Sequence, residues 1–547
     1  AWGGLVPTPK IGEGDPYNPG MDISVHFESS QDPVPADSGE VIAGASPGTP
    51  DSQEPVGADL PDTRGLLIAF LVTAVLSLLI GQILAFFNLS SLHAFYAARL
   101  SRAYLGASNF LRWGRGQDKD DEAQSPLAGQ LVGDPIKGDD CYWDDYRPWE
   151  SGGPLHIVNM TLNETVSGKS QVEYRDRKGL IMAAGPCGLS VGRTDHGLWG
   201  QHPTGDETEE AGEEYLTWMT PIGAKDKTFH ALGLATEHQT DPRYGEPNRC
   251  ERAKLGRYVA ISGAAITTGL GSQTSFGTSL LMGLLNVRLG YWWTSGVSHS
   301  HRKKAGACSP QRLVSRFETF MGRLLPLQTA LLGEFTARFH GPVHRRWYLS
   351  DGGHYENTAV YELLRRRVPR IIACDCGCDR DFHFEDIANL ARKARIDFGA
   401  ELEFLDDQTL AQAGVSEEIR QKLGTPADFQ TAITDAKDEK VASRAKKHAM
   451  LAWVDFDGKR FSDRSTADRP ARTGSLILFL KPSLTGDEPI DVLRYQSGHP
   501  DFPNETTADQ FFDEAQWESY RKLGEHIADE LLSLDVFGAL WPASADR

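Results

Sequence analysis

The chain has few cysteines and no excess of positive charge, and each shortage excludes a class of protein. Seven cysteines in 547 residues cannot form the dense disulfide framework of a small secreted domain, so a reducing compartment is favoured. Lysine and arginine number 56 against 75 aspartate and glutamate residues, which gives a net charge of −19. Because such a surface repels phosphate backbones, no nucleic-acid partner is expected.

Two signature motifs are also missing. The chain contains neither a P-loop nor a dinucleotide-binding fingerprint, so no cofactor is expected. Cys374, Cys376 and Cys378 form a C-x-C-x-C run with His383 nearby. Structural zinc sites usually use two separated cysteine pairs. Small residues at the end of a strand are therefore the preferred interpretation and no metal is expected, although a metal or redox site stays open as an alternative.

One long stretch carries no charge. Residues 65–87 contain only Thr73, Ser77 and Gln82 as polar interruptions, and about 20 apolar residues are enough for a helix to cross a hydrocarbon core. The stretch is predicted to span a membrane once, with a fully buried core helix as the alternative. Acidic residues precede it and arginines follow it, so the positive-inside rule predicts that the following domain is cytoplasmic.

Composition and hydrophobic periodicity divide the chain into four parts. Residues 1–63 are rich in proline, glycine and acidic side chains and are predicted to be irregular. Residues 64–88 form the predicted membrane helix, and residues 89–150 an amphipathic helix followed by an acidic linker. The remainder, 151–547, alternates strands with helices, which indicates an α/β domain. A polar insertion is predicted within it at 405–448.

Apolar runs in this domain predict individual elements. The predicted strands are Pro154 to Leu162, Leu180 to Ala184, Met450 to Phe456 and Gly474 to Leu480, and a helix is predicted at Phe384 to Phe398.

The most informative segment centres on a candidate base. A strand that ends at Asp351 is followed by Gly352 and Gly353, a helix, and a second strand from Arg370 to Cys374. This order is typical of a βαβ unit in a parallel sheet, and such sheets place their chemistry at the carboxyl ends of strands. Glycine lets the backbone approach a ligand closely. Asp351 is therefore a candidate general base, although an Asp-Gly-Gly sequence is more often only a turn.

A carboxylate base needs a nucleophile, and the chain offers one weak candidate. The pattern G-x-S-x-G occurs at Gly188–Gly192 with Ser190 at its centre. In hydrolases this pattern lies on a tight turn from a strand into a helix, but no clean strand precedes it here and no apolar helix follows it. No glycine-rich loop upstream offers donors for an oxyanion. A glycine-rich surface loop is the simpler interpretation.

Several stretches resemble one family. The Asp-Gly-Gly turn at 351–353, with Asn357 behind it, resembles the aspartate motif of patatin-like phospholipases, and residues 361–372 resemble the matching part of the cytosolic phospholipases. Three further stretches are similar to large, membrane-associated bacterial patatin-like proteins: residues 87–100, 261–265 and 502–514. The matches occur in the same order along residues 85–530, which makes them more specific than the turn alone.

The resemblance implies a patatin-like or cytosolic-phospholipase-like α/β sheet flanked by helices, and a lipid acyl hydrolase with a Ser–Asp dyad. Asp351 matches the base, and Gly352, Gly353 and Asn357 match the turn that supports it. The family's serine elbow and glycine-rich loop are not found, so an N-terminal portion or a separate chain is expected to carry the nucleophile. The implied substrate is a phospholipid or another acyl-ester lipid of the bilayer. A non-catalytic membrane scaffold or partner subunit with a degenerate patatin-like fold is the alternative.

Overall fold

The computed structural model describes most of the chain after residue 62. The described ranges are 63–113, 135–166, 177–200, 213–221, 238–240, 248–251, 254–295, 320–429, 445–461, 474–506 and 512–540, without residues 82–83, 144, 323 and 345. The segment predicted to be irregular lies outside these ranges except for Thr63, and so does the centre of the predicted acidic linker.

The first helix, α1, spans Thr63–Gly81. Residues Arg64–Gly81 have a mean hydropathy of 2.2, and by length and composition this is the one helix in the described part of the chain that is apolar enough to cross a membrane. Its side chains are exposed, as the 69% exposure of Phe70 illustrates. Exposure on all sides distinguishes α1 from the buried core helix that the sequence left as an alternative.

The predicted membrane segment is longer than α1. Leu84–Leu89 forms a separate short helix, α2. Its residue Phe87 is buried against Trp292 and Phe339, with the Arg288 guanidinium over its ring. The end of the apolar stretch therefore belongs to the core of the domain, which the absence of charge alone could not indicate.

Nine described strands form one antiparallel sheet. They are β1 Val158–Asn163, β2 Gly179–Gly185, β3 Gly188–Val191, β4 Asp195–Gly200, β5 Glu213–Pro221, β6 His238–Thr240, β7 Asn248–Glu251, β8 Tyr291–Thr294 and β9 Arg346–Asp351. The order across the sheet is β6-β5-β4-β3-β2-β1-β9-β8, with β7 also paired to β5. Alternate residues of β1 point to opposite faces, so Met160 and Leu162 enter one core while Thr161 faces the other way.

A second, five-stranded sheet is mixed. Its strands are β10 Arg370–Cys374, β11 Glu401–Phe404, β12 Leu423–Gly424, β13 Ala449–Asp455 and β14 Gly474–Leu480. The order is β10-β14-β13-β11, with β12 beside β13; β10 runs parallel to β14 and β12 parallel to β13. Both faces of β13 are buried, Leu451 and Trp453 in one core and Met450 and Val454 in the other. Burial on both faces explains why β13 is apolar at every position from Ala449 to Val454.

The remaining helices cover the sheets. They are α3 His93–Leu100, α4 Leu255–Ser262, α5 Phe276–Leu284, α6 Pro326–Phe335, α7 Val360–Arg365, α8 Glu385–Phe398, α9 Asp407–Gln412, α10 Glu417–Lys422, α11 Ile490–Gly498, α12 Glu514–Leu532 and α13 Val536–Leu540. Helix α4 packs on β1 and β9. Helices α7 and α8 share a core with Ile181 of the first sheet and Ile371 of the second, so they lie between the two sheets.

The predicted parallel βαβ unit is wrong. Strands β9 and β10 lie in different sheets, because β1 and β8 already occupy the two hydrogen-bonding edges of β9. Mixed helix and sheet content is confirmed, but most described strand pairs are antiparallel. A strand-helix-strand order in the sequence indicates which elements form, but it does not indicate which strands pair with each other.

The segment predicted as an insertion contributes to the second core. Its described part, 405–429 and 445–448, contains α9, α10 and β12. Leu410 and Ile419 of the two helices are buried with Trp453 of β13. This part of the segment therefore packs as an integral layer of the five-stranded sheet.

Candidate active site around Asp351

Asp351 is the last residue of β9, and it lies directly opposite Met160 of β1. The backbone then leaves the strand (φ −47°, ψ 137°) and enters a tight helical turn at Gly352–His354. Since directly opposed residues point to the same face of a sheet, the Asp351 side chain faces the core that α4 covers. Strand β9 thus places the Asp351 carboxylate at the edge of an apolar core.

One carboxylate oxygen of Asp351 accepts a backbone hydrogen bond, and the other oxygen is available to accept a proton. The Gly353 N–H donates to Asp351 Oδ1 at 2.7 Å, and no ion pair of the described residues includes this half-buried side chain. Burial raises the pKa of Asp351 to about 6, and the hydrogen bond from Gly353 opposes that shift. At neutral pH the group is therefore mostly ionised, yet it accepts a proton more readily than an ordinary aspartate.

Both positions of the turn require glycine, because neighbouring atoms lie too close to leave room for a Cβ. A Cβ on Gly352 would lie 2.9 Å from the Asn159 carbonyl oxygen, and one on Gly353 would lie 2.7 Å from Asn357 Oδ1. Asn357 donates from Nδ2 to Asp386 Oδ2 at 2.8 Å, which orients its oxygen toward the turn. The structure thus brings together the four residues predicted here.

A half-buried histidine, which the sequence did not single out, holds the turn in place through hydrogen bonds on both ring nitrogens. His354 Nε2 lies 3.1 Å from the Ala265 carbonyl oxygen, which can only accept, so Nε2 carries the proton. Nδ1 therefore accepts from Ser350 Oγ at 2.9 Å, and Asn163 Nδ2 donates to the same Oγ at 2.8 Å. Burial lowers the pKa of His354 to about 4, which keeps the ring neutral. Its partners are remote in sequence, so no local pattern could have revealed them.

Tyr96 of α3 lies within range of the Asp351 charge. Burial raises the pKa of Tyr96, and the charge of Asp351 raises it further, which places the phenol near the carboxylate. A Cβ on Gly263 would lie 2.7 Å from Tyr96 Oη. Tyr96 therefore packs against Gly263 and is affected by the charge of Asp351.

Ser190 does not join the site. It lies within β3, in a hairpin with β2, and not on a turn into a helix or in a surface loop. The register Asp351–Met160–Met182–Val191 places β3 three strand spacings from β9, roughly 14 Å away. Because Ser190 is the neighbour of Val191, it also points to the opposite face of the sheet.

The contacts of Ser190 are structural. Its side chain is buried, and Oγ receives a hydrogen bond from Arg365 Nη2 at 2.8 Å. His196 Nδ1 lies 3.2 Å from the same Oγ. A hydroxyl oxygen that accepts from a guanidinium is a poor nucleophile, because the cation stabilises its lone pairs. The G-x-S-x-G pattern here packs a hairpin against α7.

The cysteine run belongs to the second sheet, and its Gly377 lies beside the residues that support the Asp351 turn: a Cβ on Gly377 would lie 2.9 Å from Asp386 Oδ2 and 3.8 Å from Asn357 Nδ2. Cys374 ends β10 and is exposed, as are Cys376 and Cys378. Cys378 Sγ donates to the Asn504 carbonyl oxygen at 2.9 Å. His383 Nε2 lies 3.7 Å from Asp381 Oδ2. The run therefore follows the end of a strand, as the preferred interpretation of the sequence expected.

Comparison with known proteins identifies no relative: no protein-family model, no curated protein and no solved structure matches this chain. The chemistry of the site must therefore be inferred from its geometry and from the residues themselves. The geometry provides a half-buried carboxylate with an unoccupied oxygen and a pKa near neutrality, which can take a proton from a hydroxyl group or from water.

Proposed function

We propose that this chain supplies the base of a membrane-associated lipid acyl hydrolase of the patatin-like type, in which Asp351 pairs with a serine from outside the described residues. The observation that carries the proposal is the state of Asp351. Its carboxylate is anchored through one oxygen, partly desolvated, and not neutralised by any cation among the described residues. The resemblance of residues 351–372 to patatin-like and cytosolic phospholipases supports the choice of reaction.

The proposed reaction is acyl transfer in two steps. The serine oxygen attacks the ester carbonyl while its proton passes to the free oxygen of Asp351, and the lipid alcohol leaves with that proton. Water then attacks the acyl-serine and gives its proton to Asp351, which returns it to the serine as the fatty acid is released. No histidine is needed, because a carboxylate with a pKa of about 6 is basic enough to share the proton.

Exposed apolar side chains on two packed helices support a lipid substrate. Helices α5 and α6 pack closely, since a Cβ on Gly283 would collide with the Phe335 ring. Gln328 of α6 donates from Nε2 to the Ser77 carbonyl oxygen of α1 at 2.8 Å. The large exposed side chains of α5, its C-terminal end and α6 are Phe276, Leu281, Leu284, Leu285 and Leu332. We call these five residues the apolar surface.

The apolar surface adjoins both α1 and the site. If α1 spans a bilayer, α6 lies at the depth of Ser77, and the apolar surface enters the same lipid layer. The segment 263–275 links this surface to the active-site turn, because Ala265 receives a hydrogen bond from His354 and Gly271 approaches the His354 carbonyl oxygen. A lipid ester would thus meet Asp351 at the bilayer surface.

Labelling with a fluorophosphonate, which reacts with activated serines, tests the dyad. The complete protein is expected to be labelled, Asp351→Asn is expected to lose the label, and Ser190→Ala is expected to keep it. Peptide mapping then locates the labelled serine. Loss of labelling in Ser190→Ala, or full labelling in Asp351→Asn, would contradict the proposed pairing.

The same experiment separates the second candidate function. A non-catalytic membrane scaffold is favoured by the position of Ser190, because the G-x-S-x-G serine of this chain points away from Asp351. An unlabelled complete protein without ester turnover would support the scaffold. The labelled protein supports the enzyme.

Hydroxyl-radical footprinting tests the membrane surface without any substitution. In lipid nanodiscs, oxidation of Phe276, Leu281 and Leu284 is expected to fall several-fold relative to detergent-free, lipid-free protein, because lipid excludes water from these side chains. Ile490 (82% exposed) and Trp517 (53% exposed) lie on other helices and are the matched controls. Equal oxidation of both groups in nanodiscs would remove the support for an apolar surface in contact with lipid.

A further inference from the structure

Three side chains of the kind that bind transition metals converge beside the five-stranded sheet. His448 directly precedes β13, Asp487 lies in the loop between β14 and α11, and His526 belongs to α12. One ligand atom from each lies within 4.8 Å of the others. From this arrangement we infer a binding site for a divalent transition-metal ion of the zinc class, independent of the proposed hydrolase function.

The hydrogen bonds of His448 prepare one nitrogen for a metal. Ser483 Oγ donates its single proton to a backbone carbonyl oxygen, of Lys447 or of Lys481, at 3.0 and 3.1 Å. Toward His448 Nδ1, at 3.0 Å, the hydroxyl oxygen must therefore accept, which places the imidazole proton on Nδ1. The lone pair is then on Nε2, which faces the cluster. Metal-binding histidines are commonly oriented by such a bond from the other nitrogen.

His526 contributes the second nitrogen of the cluster. Its Nε2 is buried and makes no hydrogen bond within the described residues. It lies 3.5 Å from Asp487 Oδ1. Two ligands bound tetrahedrally at about 2.0–2.1 Å from zinc are roughly 3.4 Å apart, so this pair already has the separation that a shared ion requires.

The cluster holds more acceptors than donors. The Thr485 hydroxyl has one proton, yet it lies 2.5 Å from Asp487 Oδ1, 3.3 Å from Glu488 Oε1 and 3.2 Å from His448 Nε2. Glu530 lies 3.9 Å from His526 Nε2 and pairs with Lys422 at 3.1 Å. Glu488 also accepts from the backbone N–H groups of Thr485 and Gly486, but the one proton of the Thr485 hydroxyl cannot satisfy both Asp487 and His448, whereas a cation can interact favourably with both.

The ligand types indicate which ion fits. Neutral imidazoles with one carboxylate suit zinc, cobalt or nickel, whereas calcium and magnesium prefer oxygen ligands alone. Because the Asp487 side chain is 60% exposed, the site opens to solvent, and water can complete the coordination that three protein ligands leave incomplete.

The inferred ion would join three elements, of which the start of β13 and the 481–489 loop already share the hydrogen bond from the Lys481 N–H to the His448 carbonyl oxygen, at 2.9 Å. It would fasten α12 and the 481–489 loop to the start of β13, so metal binding and the stability of this end of the five-stranded sheet should be linked. The expected consequence is a higher unfolding temperature for the metal-loaded protein.

The test is zinc binding to the full chain, in detergent, after metal has been removed with a chelator. We expect one equivalent of Zn²⁺ to bind in competition with a chromophoric chelator, and Co²⁺ to give the intense visible absorption of a tetrahedral site. His526→Gln, chosen because that side chain is only partly buried, is expected to weaken Zn²⁺ binding at least roughly 100-fold and to abolish the rise in unfolding temperature. His448→Gln should do the same.

Two control variants separate this site from the cysteine run. His383→Gln and Cys376→Ser change exposed residues outside the cluster and are expected to leave the affinity unchanged. The inference is overturned if zinc binds equally to the wild type and His526→Gln, if Cys376→Ser removes binding, or if the wild type retains no zinc. Circular dichroism of each variant without metal confirms that a lost equivalent reflects a lost ligand and not an unfolded chain.

Discussion

Asp351→Asn is expected to stabilise the protein above pH 6 and to lower ester turnover by roughly 10³-fold. The folded-state pKa of Asp351 is raised from 3.8 to about 6 by burial. Between these values the folded state binds more protons than the unfolded chain, so the free energy of unfolding falls as the pH rises. Above pH 6 the wild type therefore carries the full cost of a partly desolvated carboxylate, and asparagine does not.

The expected size of the stabilisation is about 2 kcal/mol at pH 8. One pKa unit corresponds to about 1.4 kcal/mol, and the value is reduced because the side chain keeps some contact with solvent. Asparagine can retain the hydrogen bond from Gly353 through its carbonyl oxygen, so the turn should persist. Below about pH 4 both side chains are neutral, and the difference between the two proteins should approach zero.

Denaturant unfolding at pH 4, 6 and 8 measures this dependence, with Asp381→Asn as the control because Asp381 is 68% exposed. In the same proteins, wild-type kcat/KM is expected to rise with pH through about 6, as the base ionises. A wild type that is more stable than Asp351→Asn at pH 8 would mean that the carboxylate is stabilised by a partner. The assignment of Asp351 as a base would then lose its physical support.

Local sequence patterns predicted the helices and strands well where the residues of an element are apolar because they are buried. The apolar run from Gly474 to Leu480 is β14 with the predicted bounds, and the helix predicted at Phe384 to Phe398 is α8, which begins one residue later. The Asp351 turn was also predictable, because two adjacent glycines mark a backbone that leaves no room for a Cβ. Each of these signals depends on neighbours in the sequence.

Pairing between distant segments was not predictable in the same way. The β9 edges are taken by β1 and β8, which no periodicity could indicate, so the order of elements suggested a parallel unit that does not exist. The position of Ser190 was not predictable for the same reason, since its hairpin and its contact with Arg365 are set by packing. His448, Asp487 and His526 are separated by dozens of residues, and only the fold brings their ligand atoms together.

The buried pair behind Ser190 provides the largest expected loss of stability. Glu362 is nearly inaccessible, and its carboxylate accepts hydrogen bonds from Arg365 Nη2 at 2.6 Å and from Arg366 Nε at 2.7 Å. Burial opposes ionisation of Glu362, but the two arginines outweigh it and hold the carboxyl pKa below its usual range. Arg365 in turn donates to Ser190, so Glu362 orients the guanidinium that ties α7 to β3.

Glu362→Ala is expected to lower the free energy of unfolding by about 3–5 kcal/mol, because the change leaves the Arg365 charge buried without its carboxylate. Glu401→Ala is the matched control: Glu401 also pairs with an arginine, but both side chains are about half exposed, and the expected loss is no more than about 1 kcal/mol. Denaturant unfolding at pH 7 compares the two. Equal losses would mean that Arg365 finds solvent or another partner when Glu362 is removed, and that the contact between α7 and β3 does not depend on a buried ion pair.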